Sequence, residues 1–213
     1  ADAAARSTSL TAALVASLPS RRPLRILDLG TGTGSNVRYL SPRLPQPQEW
    51  LVVDRDPALL AELTRRATVA VRTRQAELGA LTRDLFDGRD LVTASALLDL
   101  VSERWLQSLA AHCRAAGAAA LFALTYDGRS RCTPAEPEDD LIRTLMNRHQ
   151  RQNDKGFGRA AGPDACEAAE RAFAAAGYVV RRAPSDWILG PPDGGLQRPL
   201  LRGHDSRFDH CPA

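Results

Sequence analysis

Two hydrophobic periods take turns along the first 180 or so residues. Residues 7–18 (STSLTAALVASL) carry apolar side chains at helical spacing, and Pro19 and Pro23 close the segment. Residues 25–30 are a continuous apolar run, the pattern of a strand buried on both faces. The alternation continues with helices over 35–44, 57–67, 102–116 and 163–176, and strands over 50–54, 69–77, 90–94, 118–125 and 178–182. Pro57 opens the second of these helices, Ser102 is placed to cap the next, and Gly177 closes the last. Strands alternating with helices predict an α/β fold: a Rossmann-like, doubly wound, mainly parallel sheet with helices on both faces.

Two stretches break this rhythm. Residues 128–162 are polar and contain TPAEPEDD, an amphipathic LIRTLMNRHQRQ and NDKGFGRAAG; so long an insertion is expected to be a lid or substrate segment. Residues 190–213 are rich in Pro and Gly and offer no strand to pair with residues 178–182, so a final antiparallel strand is expected to be missing, or the tail rearranged. The reading divides the chain into an N-terminal helix at 1–20, packing over the site, and a domain at 21–213 that includes the insertion.

The densest chemical signal is ILDLGTGTGSN, residues 26–36, where glycines occupy every second position after a buried strand. The dinucleotide fingerprint G-x-G-x-x-G/A fits neither register: from Gly30 its last position is Ser35, and from Gly32 it is Val37. Asp28, at the strand end, would repel a pyrophosphate and suits a ligand with an ammonium or sulfonium.

ILDLGTGTGS resembles the first motif of the class I S-adenosylmethionine-dependent methyltransferases, and further motifs follow in order over about residues 20–127. The resemblance implies S-adenosylmethionine as cofactor and S-adenosylhomocysteine as product. Asp28, Gly30, Thr31, Gly32, Gly34 and Asn36 then form the cofactor loop. VVDRDPALL matches the second motif and places Asp54 on the ribose hydroxyls, with Arg55 beside it; a carboxylate accepts both O–H donors at once. AEL at 76–78 puts Glu77 on the adenine amine, with the backbone N–H of Leu78 on the ring. TASALLDLVS matches the fourth motif and sets Ser95 and Ala96 beside the methionyl end. Plainer readings remain: a glycine loop can be a tight turn, Asp54 a helix-start acid, and Glu77 a solvated loop acid.

The methyl acceptor is less legible. The resemblance builds its pocket from the N-terminal helix, the loops after strands four and five, and inserted segments. His149, Asp99 and Tyr126 are the catalytic candidates. His149 can take a proton near neutral pH, or it can be a surface histidine. Asp99 can orient a substrate amine or hydroxyl, or cap a helix. Tyr126 can line the pocket or fill core. Lys155, Gln150 and Phe157 are weaker pocket candidates. No N/D-P-P-Y tetrapeptide follows strand four and no Pro-Cys pair is present, which disfavours DNA-adenine, glutamine and cytosine-C5 methylation. The expected reaction is in-line methyl transfer to an O or N nucleophile of a small metabolite or natural product. An NAD(P)-dependent oxidoreductase, a non-catalytic cofactor-binding protein and an RNA methyltransferase are the alternatives.

Composition narrows this only slightly. The 213 residues include 28 basic and 25 acidic side chains, a net charge of +3, with arginines scattered rather than striped, so nucleic acid is not implied. No apolar run is long enough for a membrane span, and no signal peptide is read. The chain begins with Ala, which suggests trimming. Four cysteines without a C-x-x-C pair predict free thiols, no metal site and a cytoplasmic location. A monomer or a homodimer is expected.

Overall fold

The computed structural model describes residues 2–19, 23–152, 154 and 156–197. Its centre is a five-stranded parallel sheet in the order β3-β2-β1-β4-β5. The strands are β1 (Leu24–Leu29), β2 (Gln48–Asp54), β3 (Val71–Gln75), β4 (Leu91–Ser95) and β5 (Ala119–Ala123). β1 lies in the middle because only Arg25 among its residues is exposed; LRILDL can face packed layers on both sides. In register, Asp28 sits opposite Val52 of β2 and Thr93 of β4.

The two-residue strand period divides the core. Leu27, Leu29, Leu51, Val53, Val92 and Ala94 face one layer, while Ile26, Trp50, Val52 and Leu91 face the other. The first layer is covered by α6 (Glu103–Ala116) and α8 (Ala165–Ala175), where Leu106, Leu109 and Cys113 meet the small residues Ala165, Ala168, Ala169 and Ala172. The second is covered by α2 (Thr8–Ser17), α3 (Ser35–Leu40) and α4 (Pro57–Arg66). Caps explain the boundaries. The Ala58 amide donates to Asp56 Oδ1 at 2.8 Å, starting α4, and Trp105 N donates to Ser102 Oγ at 3.3 Å, starting α6.

The structure revises several of the expected elements. α3 stops at Leu40 and gives way to turns, four residues short of the expected end. A short helix, α1 (Asp2–Ala5), precedes α2, and another, α5 (Arg83–Phe86), stands between β3 and β4. The expected sixth strand at 178–182 is not formed. Past Gly177 (φ +85°) the described residues hold no further strand, and Val179 and Ile188 are each 90% exposed. Tyr178 is anchored, its hydroxyl donating to Ala118 O at 2.8 Å and its ring set edge-on against Phe173. Pro184 supplies no ladder donor, which hinders extension of a strand along the β5 edge. The expectation for the tail beyond residue 197 lies outside the described residues.

The insertion contains α7 (Asp139–Gln152) and returns across the carboxyl end of the sheet. Phe157 packs edge-on against Trp105, centroids 5.9 Å apart. The Ala161 amide donates to Val101 O at 2.7 Å.

Candidate active site at the sheet switch point

β1 leads to β2 and β3 on one side, while β4 and β5 lie on the other. The crevice beyond the carboxyl ends of β1 and β4 is therefore the topological switch point, where such sheets bind ligands. The glycine loop occupies it. Gly30, Gly32 and Gly34 all have positive φ, at +60°, +54° and +80°. A Cβ on Gly30 would press on Leu97, and one on Gly34 would collide with Leu63, whereas one on Gly32 meets nothing within 4 Å. The outer glycines are needed for packing; the middle one presents bare backbone to open space.

Asp54 holds that backbone in place. The Gly32 amide donates to Asp54 Oδ2 at 2.8 Å, and the Asp56 amide donates to Oδ1 at 3.0 Å. The loop is also tied to β2 by Thr31 N donating to Val53 O at 3.1 Å. Each carboxylate oxygen of Asp54 keeps acceptor capacity beyond its one amide partner. Arg55 beside it is exposed.

Asp28 is fully buried. Thr31 Oγ1 donates to its Oδ2 and Asn36 Nδ2 to its Oδ1, both at 2.6 Å. Both oxygens are thus engaged within the protein, and Asp28 shapes the loop it is bonded to. Burial pushes its carboxyl up to about 6, against the lowering effect of the Thr31 and Asn36 hydrogen bonds. The sign follows directly. A folded pKa raised above the usual 3.8 makes the ionised form a cost, absent below about pH 4 and fully present above about pH 6. In urea titrations, the stability of the wild type relative to Asp28→Asn is expected to fall by about 3 kcal/mol between pH 4 and pH 7. A flat difference would show that the carboxyl titrates normally.

Sequence reasoning missed Arg6. This residue, between α1 and α2, is 6% exposed, and it reaches across the loop. Its Nη1 donates to Asn36 Oδ1 at 2.6 Å and its Nη2 to Ser95 Oγ at 3.0 Å. The guanidinium lies over the Tyr39 ring, 4.6 Å from its centroid. The available signal was that Arg6 is the only basic residue among the first twenty.

Glu77 is exposed beyond β3. Leu78 is buried, and its carbonyl accepts the Trp105 indole N–H at 2.6 Å. Trp105→Phe would strand that buried carbonyl. An expected loss of about 1–3 kcal/mol is measurable by chemical denaturation, and an unchanged midpoint would show the bond to be dispensable. Ser95 is half-buried. Ala96, exposed, has φ +54°, and Leu124 beyond β5 has φ +56°. Two non-glycine residues in this region, both at strand ends facing the crevice, mark local backbone strain.

The catalytic candidates divide. Asp99 is buried at 8% exposure in a 3-10 turn after β4, and its charge is felt at Tyr126 after β5. Tyr126 donates to Asn147 Oδ1 of α7 at 2.8 Å, and Asn147 Nδ2 donates to Gly128 O at 3.0 Å. Burial, then Asp127 and Asp99, raise the phenol above its ordinary value, which keeps Tyr126 a donor. His149 is half-buried in the last turn of α7, one turn beyond the buried Met146 on the same face. Gln150 is half-buried, Phe157 packs on Trp105, and Lys155 lies outside the described residues.

Cys113 is buried and its thiol is pushed up to about 12 by that burial, so it is unreactive. Cys132 and Cys166 are also free. Among the described residues no group of three His, Cys, Asp or Glu side chains is placed to hold a metal. None of the helices there is long and apolar enough to cross a membrane.

A parallel sheet with a glycine loop and an acid at neighbouring strand ends of its switch point is a Rossmann-like, doubly wound arrangement, the kind that binds a ligand at that point. Residues 26–117 match the family described as Methyltransferase domain. A 51-residue stretch is 47% identical to 3-methylorcinaldehyde synthase tropA of Talaromyces stipitatus. That match covers 22% of this chain and 2% of the relative's length. The cyclopropane synthase MmaA2 of Mycobacterium tuberculosis has a similar structure, with TM-score 0.54 and 12% identity over 82% of this chain and 61% of that one. The S-adenosylmethionine-dependent methyltransferase SibL in its apo form gives TM-score 0.50 and 20% identity, over 85% of this chain and 52% of that one. At these identities the likeness is one of fold.

Proposed function

We propose that this protein transfers the methyl group of S-adenosylmethionine to an O or N nucleophile of a small metabolite or natural product. The observation that carries the reading is the Asp54–Gly32 bond at the switch point. It fixes a bare stretch of backbone, open to a ligand, beside a carboxylate with acceptor capacity to spare for two ribose hydroxyls. Glu77 serves the adenine amine and the Leu78 backbone the ring, its position held by Trp105. Ser95 and Ala96 flank the methionyl end. The cofactor's sulfonium supplies an already activated methyl group, so the chain's task is alignment, with the nucleophile in line at roughly 3–3.5 Å.

In this reading the N-terminal segment packs over the site, and residues 128–162 are a lid that shapes the acceptor pocket and excludes water. Tyr126, kept protonated, positions the acceptor by hydrogen bonding. Asp99 orients an amine or hydroxyl, and His149 is the group that accepts its proton. The scattered charge favours a small molecule, and the free thiols favour the cytoplasm.

The test is calorimetry and thermal unfolding with S-adenosylhomocysteine and, separately, NAD+ and NADP+. Micromolar binding and stabilisation by the first alone are expected, since a ligand at 100 times its Kd adds about 2.7 kcal/mol. Stabilisation by a nicotinamide nucleotide in its place would overturn the reading. Labelled S-adenosylmethionine with metabolite fractions, followed by mass spectrometry, would then identify the acceptor; label appearing only in RNA would overturn the small-molecule assignment.

A further inference from the structure

The sheet face that carries Leu51 and Val53 turns basic at the β3 edge. Arg72 stands in register with Leu51 and Arg74 with Val53, so the two-residue period puts both arginines on that face. The helix that follows β3, α5, has only four residues, and Arg89 comes after it, just before β4. An open-sided pocket of about 330 Å3 is left there, lined by Leu51, Arg72, Thr73, Arg74, Asp84 and Arg89. Arg72 and Arg89 lie toward the amino ends of β3 and β4, whereas the glycine loop follows the carboxyl end of β1.

Three arginines in this lining face one aspartate. Arg74 pairs with Asp84 at 2.5 Å, and Arg25, on β1, pairs with Glu49 at 3.4 Å. Arg72 and Arg89 form no ion pair among the described residues. Arg89 is half-buried, and its Nε donates to Leu85 O at 3.1 Å, which leaves its two terminal amino groups for another acceptor. Burial and then repulsion from Arg25 and Arg72 lower its pKa, and Glu49 offsets only part of this. An anion between Arg72 and Arg89 would relieve that repulsion and meet two guanidinium forks.

We propose that the pocket between Arg72, Arg74 and Arg89 binds the phosphate group of a small molecule, at a site separate from the switch point. The charge selects the ligand. Two unpaired cations match a phosphate monoester, which carries about −1.5 to −2 at neutral pH, better than a single carboxylate. The size selects it as well, since about 330 Å3 is at the small end of ligand pockets. The remaining arginines are scattered along the chain and form no stripe that could follow a nucleic-acid backbone. This site does not depend on the S-adenosylmethionine reading.

The experiment titrates the protein with inorganic phosphate by calorimetry, beside acetate and chloride at the same ionic strength. Saturable binding is expected for phosphate alone. Arg72→Gln removes an exposed side chain that has no ion-pair partner among the described residues, so the fold should persist. It is expected to weaken phosphate by about 10–100-fold, the range for one charged hydrogen-bonding contact. Arg89→Gln is expected to do the same. Arg104→Gln, which removes an equal charge from the exposed side of α6, should bind phosphate as the wild type does. No saturable binding by the wild type, or an equal loss in Arg104→Gln and Arg72→Gln, would overturn the site. A single-stranded RNA oligonucleotide that binds more tightly than phosphate, and loses that affinity in Arg72→Gln, would overturn the small-molecule assignment.

Discussion

Asp54→Ala is expected to weaken S-adenosylhomocysteine binding by at least about 100-fold, the largest single-residue effect on the ligand. In the proposed site Asp54 accepts from two ribose hydroxyls, and a hydrogen bond to a charged group contributes about 1.5–3 kcal/mol. The same side chain holds the Gly32 and Asp56 amides at 2.8 and 3.0 Å. Removing it therefore also frees the loop whose exposed backbone meets the ligand. Asp54→Asn separates the two effects, because its one remaining carbonyl oxygen can keep an amide partner but not the charge. An intermediate loss is expected, with little change in unfolding temperature. Calorimetry on both variants beside the wild type measures this directly. An Asp54→Ala chain that binds the ligand as the wild type does would remove the ribose assignment.

Much of this architecture was legible along the chain because burial and local chemistry agree there. β1 and β2 read as strands because their apolar runs are covered on both faces. Alternate glycines behind β1 read as a ligand loop because positive φ at three positions needs them. α4 and α6 start where Asp56 and Ser102 cap them, a signal confined to four residues. Where two layers do not enforce the pattern, the boundaries drift. β3 stands at the sheet edge with three of its five residues exposed, and it is shorter at both ends than its β-branched sequence suggests. Residues 178–182 carry strand-like residues but acquire no ladder partner, so propensity alone does not make them a strand.

The polar network of the site is tertiary and left little trace in the sequence. Asp28 reads as an acid facing a cationic ligand, yet its partners are Thr31 and Asn36, three and eight residues on, and they enclose it. Arg6 meets Asn36 and Ser95 from 30 and 89 residues away, so no local spacing reports it. What could be read was the type of residue each strand end offers. What could not be read was which of those residues face the ligand and which face one another. The same distinction applies to the acceptor side, where the bond between Tyr126 and Asn147 joins β5 to an insertion whose helix had only an amphipathic pattern to announce it.

Among substitutions in the loop, Gly34→Ala is expected to destabilise the fold most, by about 2–5 kcal/mol, although it adds one methyl group. Two costs coincide. The residue has φ +80°, a left-handed conformation that costs an L-residue with a Cβ roughly 1–2 kcal/mol. The new Cβ would also lie 2.7 Å from Leu63 Cγ, a core atom of α4 that is itself fully buried, and overpacking of that kind costs about 1–3 kcal/mol. Gly32→Ala isolates the first cost. Its φ is +54°, but nothing lies within 4 Å of the added atom, so about 1–2 kcal/mol is expected in the absence of ligand. The open space that spares its stability is the space assigned to the ligand, so the order should invert for binding. Gly32→Ala is expected to remain folded and lose most of its affinity, while Gly34→Ala should lower the unfolding midpoint first. Urea denaturation and calorimetry on the pair test this crossing. If both variants lost stability equally, the Leu63 contact would not be what requires glycine at position 34. If Gly32→Ala bound S-adenosylhomocysteine as tightly as the wild type, the ligand would not pass over this backbone.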